Sequence, residues 1–172
     1  ENFKTLKDIA KAKAEIIDNI SYGGNLVLNK DDKYFSFLSN IAKKRKIEVT
    51  SFGMKKNADI FLSDIKKNKN VYRLKIMIKN KTFYFDAKNF NDNFVSNILA
   101  CISVLSILNL NLKKMQRKFI DFMMPTGRGD INIVNKFKKK FKFIDESYNA
   151  NPLSMKSVIK NLSYLKRESN EK

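Results

Sequence analysis

Gly23-Gly24-Asn25-Leu26-Val27-Leu28-Asn29 and Ile47-Glu48-Val49-Thr50-Ser51-Phe52-Gly53 are the two stretches that decide the fold class. Each reads as a short apolar strand. The residues between them read as a helix capped near Asp31 or Asp32 and running to about Lys44. Strand, helix, strand is a βαβ unit, which implies a parallel pair and a right-handed crossover.

Working outward, residues 3–20 read as an amphipathic helix, with Leu6, Ile9, Ile16, Ile17 and Ile20 in one stripe. Downstream, Ile60-Phe61-Leu62, Val71 to Ile78 and Thr82-Phe83-Tyr84-Phe85 are strand-like, and Lys79-Asn80-Lys81 is a hairpin turn. Helices are expected at about 92–109, apolar on most sides and hence buried, and at 111–122. Met124-Pro125-Thr126-Gly127 is the expected domain boundary, because Pro and Gly stop a helix. Beyond it, residues 130–134 and 140–144 read as strands. A closing helix follows, with Asn151 as N-cap and Pro152 in its first position. The expected fold is therefore α/β. Part of a mostly parallel sheet flanked by helices, with an antiparallel sub-sheet, fills 1–124, and 125–172 begin a second, Rossmann-like α/β domain.

Composition narrows the function. Thirty-five Lys+Arg against 17 Asp+Glu give a net charge of +18, the footprint of a polyanion binder or of a solvated lysine surface. Only Arg45, Arg73, Arg117, Arg128 and Arg167 could read phosphate or bases bidentately, so nucleic acid is not the expected partner. The chain contains no His, which excludes His-based metal sites and Ser-His triads, and Cys101, inside an apolar run, is expected in the core. The longest apolar run, Ile98 to Leu110, is too short to span a membrane, which takes about 20 residues. A reducing cytoplasm is the expected compartment for a chain with a single cysteine. The first residue is not Met, which suits a piece of a longer protein.

Four constellations carry chemistry. Lys13, four residues after Ile9 and three before Ile16, projects from the apolar stripe of the first helix. It either snorkels, with its amine in water, or is a partly buried amine of lowered pKa that can add carbon dioxide. Asn97 lies on a mostly apolar helix, as a satisfied edge residue or a ligand contact. Gly127-Arg128-Gly129 lets backbone approach a ligand beside a guanidinium, or is an ordinary hinge. The octapeptide Asp145-Glu146-Ser147-Tyr148-Asn149-Ala150-Asn151-Pro152 begins 18 residues after Gly127 and joins a strand end to a helix start. Strand ends are where open α/β sheets bind ligands.

Together these segments resemble the Mur ligases, which build peptidoglycan precursors. Ala10-Lys11-Ala12-Lys13-Ala14-Glu15-Ile16 is similar to the helix that carries a carbamylated lysine in that family. Asn93-Phe94-Val95-Ser96-Asn97-Ile98-Leu99-Ala100 is similar to its His-Asn-x-x-Asn-x-Leu-Ala pattern, with Asn93 and Phe94 departing from it. Gly127-Arg128-Gly129 and the octapeptide resemble its inter-domain signature, and Asn29 to Asp32 and Thr50 to Gly53 look like its strand ends. The octapeptide favours the member type that adds D-alanyl-D-alanine to UDP-N-acetylmuramoyl-tripeptide.

The resemblance implies ATP-dependent amide formation through an acyl phosphate, with Mg²⁺, by a cytoplasmic monomer. It implies that Lys13, as its carbamate, holds a metal, and that Asn97 contacts adenine, Arg128 the nucleotide and Glu146 the ribose. Asp145, Ser147, Tyr148, Asn149 and Asn151 would line the substrate cleft. No Gly-x-x-Gly-Lys-Thr/Ser phosphate loop occurs in the 172 residues, so this piece alone is expected to be inactive. The alternative is a basic, non-enzymatic α/β module that binds nucleic acid or another polyanion.

Overall fold

The structure, a computed structural model, describes residues 3–69, 71–88, 92–121, 127, 130–136, 138–148 and 152–162. The chain divides into two compact units, Glu1–Asp121 and Phe122–Lys172.

The first unit opens with α1 (Leu6–Asp18), started by a reciprocal cap. The Thr5 hydroxyl accepts the Asp8 N–H at 3.2 Å, and the Asp8 carboxylate accepts the Thr5 N–H at 2.9 Å. Strand β1 (Asn25–Asn29), helix α2 (Phe35–Lys44) and strand β2 (Glu48–Gly53) then form the expected parallel βαβ unit, with Leu26 opposite Val49. The helix starts later than its sequence suggests. Asp32 instead accepts the Tyr34 N–H at 2.7 Å, closing a turn ahead of a helix that has no side-chain cap.

Strands β3 (Ile60–Asn68), β4 (Val71–Ile78) and β5 (Lys81–Ala87) complete one five-stranded sheet in the order β1-β2-β3-β4-β5. The antiparallel strands are thus continuous with the parallel ones. Parallel neighbours normally need a long crossover. Here β3 starts beside the last two residues of β2, Phe52 facing Ile60 and Gly53 facing Phe61, and runs on past it. The β4–β5 loop is the pair Lys79-Asn80, both with positive φ (45° and 64°). That is the turn geometry whose twist matches a hairpin.

Helix α3 (Asp92–Ile107) lies against β1, β2 and β3. It buries Phe94, Val95, Ile98, Leu99 and Ile102, while Leu74, Ile76, Ile78, Phe85 and Ala87 are the buried apolar residues of β4 and β5. A second cluster holds α1 to α2: Ile17, Ala42 and Ile47, with Ala14, Ile20, Leu38, Ile41, Leu26 and Val49 packed around them.

Two further expectations for this unit are corrected. Of the helix expected at 111–122, the described residues 111–121 form a single 3-10 turn, Leu112–Met115, followed by non-helical turns. The reason is β5, at the edge of the sheet, whose Asp86 N–H takes the Gln116 carbonyl at 2.9 Å. Phe119 stacks edge-to-face on Phe85, with ring centroids 5.6 Å apart. A sheet edge competes successfully for backbone that an isolated helix would use. Cys101 is exposed, not buried, because α3 is covered on one side only. Asn97, Cys101 and Val104 share the other, exposed side.

The second unit contains the antiparallel hairpin β6 (Asp130–Lys136) and β7 (Lys139–Asp145), followed by α4 (Pro152–Leu162). Pro152 takes the first helical position as expected; Asn151, read as its N-cap, lies outside the described residues.

Candidate active site

In the first unit, the carboxyl ends of β1 and β2 are stitched together. The Asn29 side-chain oxygen accepts the Asp31 N–H at 2.9 Å, Phe52 accepts the Lys30 N–H at 2.6 Å, and the Asp31 carboxylate accepts the Met54 N–H at 2.6 Å. A methyl group on Gly53 would stand 2.8 Å from that carboxylate, so the staple requires glycine there. Next to it, the Asp59 carboxylate accepts the Ser51 N–H at 2.8 Å and the Ser51 hydroxyl. Sequence reading marked these strand ends but missed the roles of Asp31 and Asp59. The only available signal was a Gly ending a strand that neighbours an Asn-x-Asp turn.

Lys13 is exposed, which corrects the partly buried reading. The docked side of α1 is Ala10-Ala14-Ile17, with Ala10 and Ile17 buried. Small alanines let α1 approach α2 closely, which turns Leu6 and Ile16 outward at 58% and 64% exposure. Lys13 therefore stands between Ile9 and Ile16 on a solvent-facing stripe, as a snorkelling amine. Asn97 is also exposed, on α3.

In the second unit, the glycine turn and the octapeptide meet. Gly127 is buried with φ +79°, and its carbonyl accepts the Tyr148 N–H at 3.1 Å. A methyl at Gly127 would crowd the Tyr148 nitrogen at 3.1 Å and the Ser147 hydroxyl at 3.2 Å, so two constraints demand glycine at this position. Asp145 accepts the Ser147 N–H at 3.0 Å, and hydrogen bonds from Ser147, side chain first and backbone second, hold its carboxyl below the usual range. Glu146 is half-buried and Tyr148 is 61% exposed. Arg128, Asn149 and Asn151 lie outside the described residues.

Among the described residues there is no group of three or more His, Cys, Asp or Glu that could hold a metal. A carbamate on Lys13 would supply one hard oxygen ligand of the kind Mg²⁺ takes, and further ligands would have to come from elsewhere.

The sequence of the first unit matches an established family model. The Mur ligase middle domain matches residues 1–105, and the chain belongs to the Mur ligase family. It is 31% identical over 159 residues to the UDP-N-acetylmuramoyl-tripeptide–D-alanyl-D-alanine ligase of Buchnera aphidicola subsp. Baizongia pistaciae, covering 92% of this chain and 33% of that protein. Its fold is similar to that of MurF from Acinetobacter baumannii, with TM-score 0.79 at 22% identity over 95% of this chain and 34% of that one. It is likewise similar to the MurF ligase of Thermotoga maritima in complex with ADP, with TM-score 0.74 at 21% identity over 95% of this chain and 36% of that one. The chain spans about a third of the length of the curated relative it matches.

Proposed function

We propose that this chain is part of a ligase that joins D-alanyl-D-alanine to UDP-N-acetylmuramoyl-tripeptide at the expense of ATP, in the cytoplasm and as a monomer. Residues 1–124 serve as the later part of its ATP-binding domain and 125–172 as the start of its C-terminal domain. The observation that carries the reading is the clasp of Gly127 on Tyr148. It brings together two segments, 18 residues apart from Gly127 to Asp145, that each resemble the family signature. The similarity to the Buchnera ligase, which extends over both units, supports the same reading.

In this role Asn97 offers its amide to the adenine edge, Arg128 its guanidinium to phosphate, and Glu146 its carboxylate to the ribose hydroxyls. Asp145 is kept ionised by Ser147, so it can accept hydrogen bonds while holding the turn. Tyr148, Asn149 and Asn151 complete the polar wall that faces substrate. When bound, ATP supplies the phosphoryl group that activates a peptide carboxylate, and Mg²⁺ offsets its charge. Lys13, as its carbamate, is one ligand for that metal. The chain carries no phosphate loop, so on its own it binds ATP weakly and does not turn over.

The test is phosphate release by the longer protein that contains this chain. Release is expected only with UDP-N-acetylmuramoyl-tripeptide and D-alanyl-D-alanine together, and Glu146→Ala should raise KM for ATP. Release driven by a single amino acid, or by glutamate added to a folate, would overturn the assignment. Single-turnover acyl-phosphate formation by the 172 residues alone would overturn the inactivity of the piece.

A further inference from the structure

The β6–β7 hairpin carries a charge distribution that the ligase reaction does not use. Between Asp130 and Asp145 it has five cations, Lys136, Lys138, Lys139, Lys140 and Lys142, and no acid. All five are exposed. Four of them, with Asn135, line one shallow hollow at the tip. Like charges gathered around a hollow repel one another, and an anion seated there relieves that repulsion. Beside the lysines the hairpin also presents apolar surface: Phe141 is 45% exposed, Phe143 50% and Ile133 58%.

We propose that this hairpin tip docks on an anionic lipid surface, with the lysines around phosphate headgroups and the neighbouring rings at the acyl boundary. Three observations favour a lipid surface over nucleic acid. Every cation in the hairpin is Lys, a hydrated point charge suited to diffuse attraction and not to planar bidentate readout. Basic side chains next to half-exposed rings are the composition of an interfacial element. The tip is also well separated from the clasped turn. Six residues of β7 at about 3.4 Å each put Lys139 roughly 20 Å from Asp145. A membrane contact there leaves the clasped turn open to soluble substrates.

The test is sedimentation of the purified chain with vesicles of phosphatidylcholine alone or with 30% phosphatidylglycerol, where "30%" is the chosen probe composition (roughly that of an anionic leaflet). Binding is expected only with the anionic vesicles and should weaken as salt is raised. Lys138→Glu, Lys139→Glu and Lys140→Glu together should reduce it about a hundredfold or more. The same net change on α1, through Lys4→Glu, Lys7→Glu and Lys11→Glu, should reduce it only a few-fold. Far-ultraviolet circular dichroism identifies variants that fail to fold, and the corresponding Lys→Gln set then replaces the tip reversal. Equal loss from the tip and α1 sets would overturn the proposal, because it would make total charge the cause. Equal binding to neutral vesicles, no binding to anionic ones, or preference for single-stranded nucleic acid over anionic vesicles at the same salt would also overturn it.

Discussion

The first unit contains a buried apolar core, whereas several of the described apolar side chains of the second stand in solvent. Phe85, Leu74, Ile76, Val95 and Leu99 are fully covered, whereas Phe141, Phe143, Met155 and Ile159 are all at least 40% exposed. Five strands with a helix laid on them can exclude water from a core, but a two-stranded ribbon has too little surface to do so. The packed sheet supplies the rigidity, while the clasp that resembles the family signature is held by a few hydrogen bonds.

The sharpest way to break this contrast is Phe85→Ala, which removes a covered ring that also stacks on Phe119. It should cost about 3–5 kcal/mol in denaturant unfolding. Phe143→Ala should stay within about 0.5 kcal/mol. Equal costs would mean that the two units are not differently packed.

Gly53→Ala should come next, at about 1–3 kcal/mol, because the new methyl displaces the Asp31 carboxylate from Met54. The cost should shrink in an Asp31→Ala background. Strict additivity of the two changes would refute the staple.

Gly127→Ala should cost about 1–2 kcal/mol in the second unit, from left-handed strain on a residue with a Cβ. Hydrogen exchange is the better readout. The Tyr148 amide should lose protection, while the amides of β4 should keep theirs.

The smallest effect belongs to Ser147→Ala. It removes the strongest influence lowering the Asp145 pKa, so that value should rise toward the ordinary one in a carboxyl NMR titration. The sign follows from linkage. A carboxyl held low in the folded state stabilises it above the unfolded pKa of about 3.9, and that contribution fades as pH falls through the folded value. The variant should therefore lose less stability than the parent on acidification below about pH 4.

The parts of the fold that were legible in sequence are those governed by local rules. The βαβ unit, the Lys79-Asn80 turn and the Pro152 helix start each depend on neighbours a few residues away. The misreadings arose where distant partners decide. Residues 111–122 have helical spacing, but the β5 edge claims the Gln116 carbonyl. Leu6 and Ile16 share the apolar stripe read for α1 but face outward, because Ala10 and Ala14 take the docked side beside Ile17, where small side chains allow closer approach. Cys101 was placed inside by its apolar neighbours, and nothing in the sequence states which side of α3 the sheet covers. For the candidate site, the meeting of Gly127 with the octapeptide was foreseeable from the paired segments, whereas the Asp31 and Asp59 staples were not.

The staggered start of β3 beside the end of β2 also bears on the order of assembly. Because no helix is needed to carry the chain between them, β3, β4 and β5 can zip together from tight loops alone, with little entropy lost to ring closure. Pairing β1 with β2 closes a longer loop, through α2. The meander is thus equipped to act as an early template on which the parallel strands are later registered.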